Sequence, residues 1–86
     1  MCNFYLYVLL SQKDDKFYIG TTNNLKARLD RHNRGNVKST SKRLPVKLIY
    51  YEVYKYKSDA LRNETYYKTT KGREDLRMKL KDCLGL

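Results

Sequence analysis

Eighty-six residues, 41% of them hydrophobic and nine of them tyrosine, suffice for one domain with a thin core and are too apolar for a disordered tail. Nineteen Lys and Arg against nine Asp and Glu give a formal charge of +10, a field that attracts polyanions and speeds their encounter. The most apolar run, Phe4 to Leu10, is far too short to cross a bilayer and has no basic leader before it, so no membrane association is expected, and nucleic acid is the expected partner.

Phe4 to Leu10 is rich in strand formers and apolar on both alternating faces, as suits a strand covered on both sides. Asp14-Asp15 marks a turn, and Phe17-Tyr18-Ile19-Gly20 resumes strand character, so the two segments read as a β-hairpin. Thr21 to Asn24 supplies helix-capping residues. Leu25, Leu29 and His32 then recur at helical spacing, and Gly35 stops that helix. Asn36 to Arg43 is polar and basic and reads as a loop. Pro45 introduces a third strand, Val46 to Tyr54, where proline loses no ladder donor. Ser58 is expected to cap a second helix running to about Thr70, before Gly72. A last helix over about Glu74 to Cys83 carries Leu76, Leu80 and Leu84 on one face. The order is β-β-α-β-α-α, a single α/β (α+β) domain over residues 1–86.

Two cysteines, Cys2 and Cys83, and one histidine make no zinc motif. With no secretory leader, a reducing compartment is expected, the cytoplasm (or nucleoid in a prokaryote), and both thiols are read as free.

Several polar residues fall on faces that the pattern assigns to the core. Arg28 and His32 stack at i and i+4 beside the Leu25/Leu29 stripe. Glu64 lies four residues after Ala60 and three after Leu61, on the apolar face of the second long helix. A carboxylate there is costly unless it is paired, hydrogen-bonded or holding a metal. Each residue alone has an ordinary explanation: an ion pair of Glu64 with Arg28 or Arg62, a dipole-favoured histidine, and Tyr7 and Tyr18 as core aromatics. As a set they offer what a phosphodiesterase needs. Glu64 can hold a hard cation, Arg28 can clamp phosphate, and a tyrosine hydroxyl near a metal-bound water or a cation can act as a base if its pKa is lowered.

The ordered set resembles the GIY-YIG nucleases over nearly the whole chain. The first motif falls on Tyr5-Leu6-Tyr7 and the second on Tyr18-Ile19-Gly20, with Tyr18 eleven positions after Tyr7. Asn24-Leu25-Lys26-Ala27-Arg28 leading to His32 resembles the family's first helix, and Ala60-Leu61-Arg62-Asn63-Glu64 its glutamate helix. Ser39-Thr40, Arg43-Leu44-Pro45 and Leu48 to Glu52 are similar to short stand-alone members that share the type of nuclease domain found at the N-terminus of an excision-repair enzyme.

The resemblance implies a central three-stranded antiparallel sheet flanked by helices, and divalent-metal-dependent cleavage of DNA, in repair or recombination. It implies Tyr7 and Tyr18 at the site, with Tyr18 assisting deprotonation of the attacking water. It implies Arg28 on the scissile phosphate, His32 supporting a tyrosine hydroxyl or a phosphate, and Glu64 binding Mg²⁺ or Mn²⁺. Gly20 would let the backbone approach the site or turn into the helix. Tyr5 and Leu6 replace the glycine and isoleucine of the first motif. The final segment has no asparagine and offers Arg73 or Arg77 instead. Low sequence specificity is expected of this domain on its own. Arg31, Arg34, Lys38, Lys42 and Arg43 are the expected DNA contacts. The rival readings are a catalytically silent binding module on the same scaffold and a basic RNA-binding protein, the latter using the tyrosines between Tyr50 and Tyr56.

Overall fold

The computed structural model describes residues 3–85, so Cys2 lies outside the described residues. Three strands form one antiparallel sheet in the order β2-β1-β3: β1 Phe4–Ser11, β2 Phe17–Thr22 and β3 Val46–Tyr54. Three helices complete it: α1 Leu25–Asn33, α2 Lys57–Tyr67 and α3 Thr70–Lys79. This is the expected β-β-α-β-α-α order.

The central strand explains the double apolarity of the first segment. Leu6 and Val8 point to one face and meet Tyr67, Leu76 and Leu80 of the α2/α3 side. Leu6, Val8 and Leu76 are fully buried, and each such side chain contributes about 1.5–3 kcal/mol. Tyr7 and Leu9, on the opposite face, are also buried, Tyr7 against His32 of α1. Their register partners on β2 are Gly20 and Tyr18.

Local chemistry sets the helix ends. Asn24 caps α1 by accepting from the Ala27 amide at 3.1 Å, and Gly35 follows the C-cap Arg34. The second helix departs from the expected one. Tyr56, not Ser58, occupies the N-cap of α2 and makes no side-chain cap bond, so Ser58 lies inside the first turn. That helix stops at Tyr67 instead of near Thr70, because Thr69 takes an extended conformation and caps α3 through the Gly72 amide at 3.0 Å. Gly72 is therefore an α3 residue packed onto the preceding helix, where a Cβ would lie 1.9 Å from the Tyr66 carbonyl oxygen. The last helix accordingly begins at Thr70 and ends at Lys79, earlier than the expected Glu74 to Cys83. Leu61, expected on the apolar face of α2, is exposed, whereas Ala60 is buried. Cys83 is a free, exposed thiol.

Candidate active site

The free edge of β2 borders a hollow of about 450 Å³. Its walls come from four directions: Tyr7 from β1, the β2 backbone and side chains from Phe17 to Thr21, Arg28 and His32 from α1, and Glu64 with Lys68 from α2. Arg73 of α3 and Ser39 of the long loop complete them. Tyr7, Tyr18, Arg28, His32 and Glu64, scattered over nearly sixty positions of chain, thus face one volume.

Tyr7 anchors the floor. Its ring lies across Gly20, where a Cβ would meet the Tyr7 hydroxyl at 2.5 Å, so any side chain at position 20 would expel the ring. Arg28 Nε donates to the Tyr7 hydroxyl at 3.1 Å. The same hydroxyl lies 3.0 Å from His32 Nε2, and His32 Nδ1 lies 2.7 Å from Thr40 Oγ1. Proton placement follows from satisfying every group. The Tyr7 oxygen already accepts from Arg28, so its own proton needs an acceptor, and His32 Nε2 is the one at hand. Nδ1 then carries the imidazole proton and donates to Thr40. Thr40 Oγ1 in turn donates to the Val37 carbonyl at 3.5 Å. Burial, followed by the Arg28 and Arg31 charges, lowers the His32 pKa below its ordinary 6.5. The ring is therefore neutral near pH 7, as this proton arrangement requires.

Glu64 enters from α2. It lies 3.3 Å from the ammonium of Lys68, one turn on, rather than pairing with Arg28 or Arg62. Arg62 is taken by Asp59 at 2.9 Å. The Glu64 side chain is 19% exposed and that of Lys68 is 53% exposed, so the lysine is a mobile counter-ion at the rim. Tyr18 opens to the same hollow, and its hydroxyl has no side-chain partner among the described residues.

The donor set distinguishes kinds of metal. No group of three or more His, Cys, Asp or Glu among the described residues could enclose an ion, which disfavours a closed zinc-type site. A single carboxylate in a roomy, wet hollow suits Mg²⁺ or Mn²⁺, which keep several waters and take phosphate oxygens as further ligands.

Sequence reading missed two contributors, Thr40 and Lys68, and left the choice between Arg73 and Arg77 open. Thr40 is fully buried and orients His32, and with buried Val37 it folds the segment read as a polar surface loop back under α1. The signal for it was its place beside Ser39 in the family-like segment. Lys68 carried no signal except its i+4 spacing from Glu64. Arg73 and Arg77, interchangeable in sequence, are separated in space, since only Arg73 lines this hollow. Of the expected DNA contacts, Arg31, Arg34, Lys38 and Lys42 are exposed, and Arg43 is held by Asp14 at 3.0 Å. None of the five lines the hollow.

Comparison with known proteins agrees with this architecture. A family model described as the GIY-YIG catalytic domain matches residues 3–80. A UPF0213 protein of Lacticaseibacillus paracasei is 46% identical over 66 residues, covering 76% of this chain and 73% of its own. UPF0213 protein SH2523 of Staphylococcus haemolyticus is 39% identical over 79 residues, covering 91% and 95%. The solution NMR structure of UPF0213 protein BH0048 from Bacillus halodurans superposes with a TM-score of 0.55 at 31% identity, covering 86% of this chain and 81% of that one. Among the described residues no helix is long and apolar enough to cross a membrane. The chain belongs to the GIY-YIG family, a nuclease family that acts on DNA, and within it resembles the UPF0213 proteins.

Proposed function

We propose that this chain is a DNA endonuclease that hydrolyses phosphodiester bonds with Mg²⁺ or Mn²⁺, has low intrinsic sequence specificity, and serves DNA repair or recombination. The observation that carries the reading is the convergence of Tyr7, Tyr18, Arg28, His32 and Glu64 on one hollow at the β2 edge.

Each residue has a task set by its surroundings. Arg28 is fixed through Nε on Tyr7, which leaves its terminal N–H groups free to grip the non-bridging oxygens of a phosphate. Tyr7, His32 and Thr40 are positioning residues: their hydrogen bonds run unbroken from the guanidinium to the backbone of the long loop. Tyr18 meets solvent without a competing partner; with its own proton passed to solvent, its phenolate oxygen takes the proton of the attacking water and the phenol is restored. The water oxygen bonds to phosphorus, the ester P–O bond breaks, and the leaving oxygen takes a proton from solvent. Glu64 would hold the cation, which supplies positive charge at the phosphate when bound. Lys68, paired with Glu64 here, would be freed when Glu64 held the cation and would then offer a further positive charge to the phosphate.

The test is a cleavage assay on supercoiled, branched and linear DNA with Mg²⁺ or Mn²⁺, with EDTA as the control. The wild type is expected to nick or cut. Glu64→Gln is expected to lose activity by on the order of 10³-fold or more while retaining DNA binding. Cleavage that persists in EDTA, or that Glu64→Gln leaves intact, would refute the assignment.

A further inference from the structure

A second hollow of about 360 Å³ adjoins the first and shares Phe17, Tyr18 and Arg73 with it. Its remaining walls are Lys16 at the start of β2 and Arg77 of α3. Three cations thus surround one small concavity with no carboxylate in its lining. The Arg77 guanidinium lies 5.0 Å from the centre of the Phe17 ring. Resting there, its position is defined while the N–H edges stay free, which lowers the entropy lost on gripping an anion. The neighbouring carboxylate of Asp75 is taken by the Tyr66 hydroxyl. None of Lys16, Arg73 and Arg77 is ion-paired among the described residues, in contrast to Lys68 in the first hollow and Arg43 of the loop before β3.

We propose that Lys16, Arg73 and Arg77 form a second phosphate subsite, which holds the nucleic-acid backbone phosphate next to the one that Arg28 grips. The inference rests on the nuclease reading for what fills the first hollow. It sets the path of the bound strand, which follows the free edge of β2 from the α1 side to the α3 side, with Tyr18 between the two phosphates. Arg73, lining both hollows, is the hinge of that path. Contacts of this kind fix register on the backbone and carry no base information, which suits a domain of low specificity. The path also places a DNA contact on α3, away from the basic residues of α1 and the following loop.

Binding of a fluorescein-labelled duplex, followed by anisotropy in EDTA over a range of salt concentrations, tests this without requiring turnover. Each phosphate contact adds about one to the slope of log K against log salt. Arg77→Gln is expected to reduce the slope by about one, and Arg77→Lys, which keeps the charge, to restore it. Lys81→Gln, outside both hollows, reports the loss of a distant charge and is expected to leave the slope unchanged. Equal slopes for wild type and Arg77→Gln, or equal losses for Arg77→Gln and Lys81→Gln, overturn the subsite. The two readings fail separately. A wild type that never cuts, yet loses slope with Arg77→Gln, removes the hydrolytic reading and leaves a backbone contact on α3. A wild type that cuts, with a slope indifferent to Arg77, removes the subsite alone.

Discussion

The molecule holds two clusters built from the same parts, and they behave differently. In one, Tyr7, Tyr18 and Glu64 border the hollow at the β2 edge. In the other, between β3, α2 and α3, Glu52 accepts from Tyr50 at 2.6 Å, from Tyr67 at 2.9 Å and from Tyr54. Lys79 completes that second cluster, 3.0 Å from the Tyr67 hydroxyl and over the rings of Tyr50 and Tyr67. Burial alone would raise the Glu52 pKa, but three hydroxyls and the Lys79 charge outweigh it and hold the carboxyl below its usual range. Three of the roughly four acceptor positions of the Glu52 carboxylate are filled by hydroxyls, and Lys79 stands 3.7 Å away, which leaves little for an ion. Glu64 has one flexible lysine and open water. How many donors the fold has already given a carboxylate, and not its residue type, decides whether it is locked as a structural fastener or left free to take an ion.

The widest separation between the clusters should appear in stability. Glu52→Gln leaves three hydroxyls competing for one amide oxygen and removes the charge that Lys79 faces. Urea denaturation should show a loss of about 2–4 kcal/mol, since truncating a part-buried hydrogen-bonded charge leaves its partners unsatisfied. Glu64→Gln should cost less than about 0.5 kcal/mol, the usual size of a partly exposed i,i+4 pair. Cleavage per folded molecule should show the reverse ranking. Equal stability costs would mean that the two carboxylates are not distinguished as the hydrogen-bond pattern implies.

A smaller effect is expected at Thr40. Thr40→Val keeps the shape of the buried side chain but removes the acceptor of His32 Nδ1–H. The orphaned donor should cost about 1–2 kcal/mol in denaturation. It should also lower kcat, with little change in KM for DNA, because Thr40 touches no substrate and acts only through the orientation of His32, Tyr7 and Arg28. Thr40→Ser, which restores the hydroxyl, should recover most of the kcat. A loss confined to stability would make Thr40 a packing residue alone.

How much of this the sequence carried depends on the range of the interactions involved. The hairpin, the Asn24 cap, the stop at Gly35 and the strand after Pro45 were legible because capping, turn chemistry and alternation act between near neighbours. The α2–α3 boundary was not. Glycine in a helical pattern reads as a stop, yet Gly72 is required by a backbone approach from Tyr66, which only the packed helices reveal. The grouping of Tyr7, Tyr18, Arg28, His32 and Glu64 was visible through motif order and spacing. Their partners were not, since the Ser39-Thr40 segment does not say which residue meets the His32 imidazole, and the i+4 spacing of Lys68 from Glu64 does not place it at the rim of the hollow. The second cluster was hidden for the same reason: Tyr50, Glu52 and Tyr54 alternate as any strand might, and the residues that make their shared face polar, Tyr67 and Lys79, come from helices that follow.

The smallest expected effect, and the one that addresses both clusters at once, is their response to pH. His32 is the single histidine of the chain. Its folded pKa lies below 6.5, through burial first and the Arg28 and Arg31 charges second. As pH falls through 6.5 the unfolded chain takes up a proton that the folded chain still refuses, so unfolding gains and stability drops. The contribution is fully present above 6.5 and is lost between 6.5 and the lower folded value. Carboxylates such as Glu52, with an ordinary value of 4.5, begin to matter only further down. The interval between these values therefore belongs to His32, and His32→Asn should flatten it. At the other end, burial and Glu52 push Tyr50 up to about 12, and Tyr54 and Tyr67 are raised as well. Those phenols stay protonated in the fold while unfolded ones ionise near 10, so the Glu52 cluster loses stability as pH rises above that value. Melting temperatures from pH 4.5 to 11 should thus show an acid shoulder that His32→Asn removes and an alkaline fall that Glu52→Gln softens. If His32→Asn altered the alkaline limb and left the acid one intact, the proton placement among Tyr7, His32 and Thr40 would be wrong.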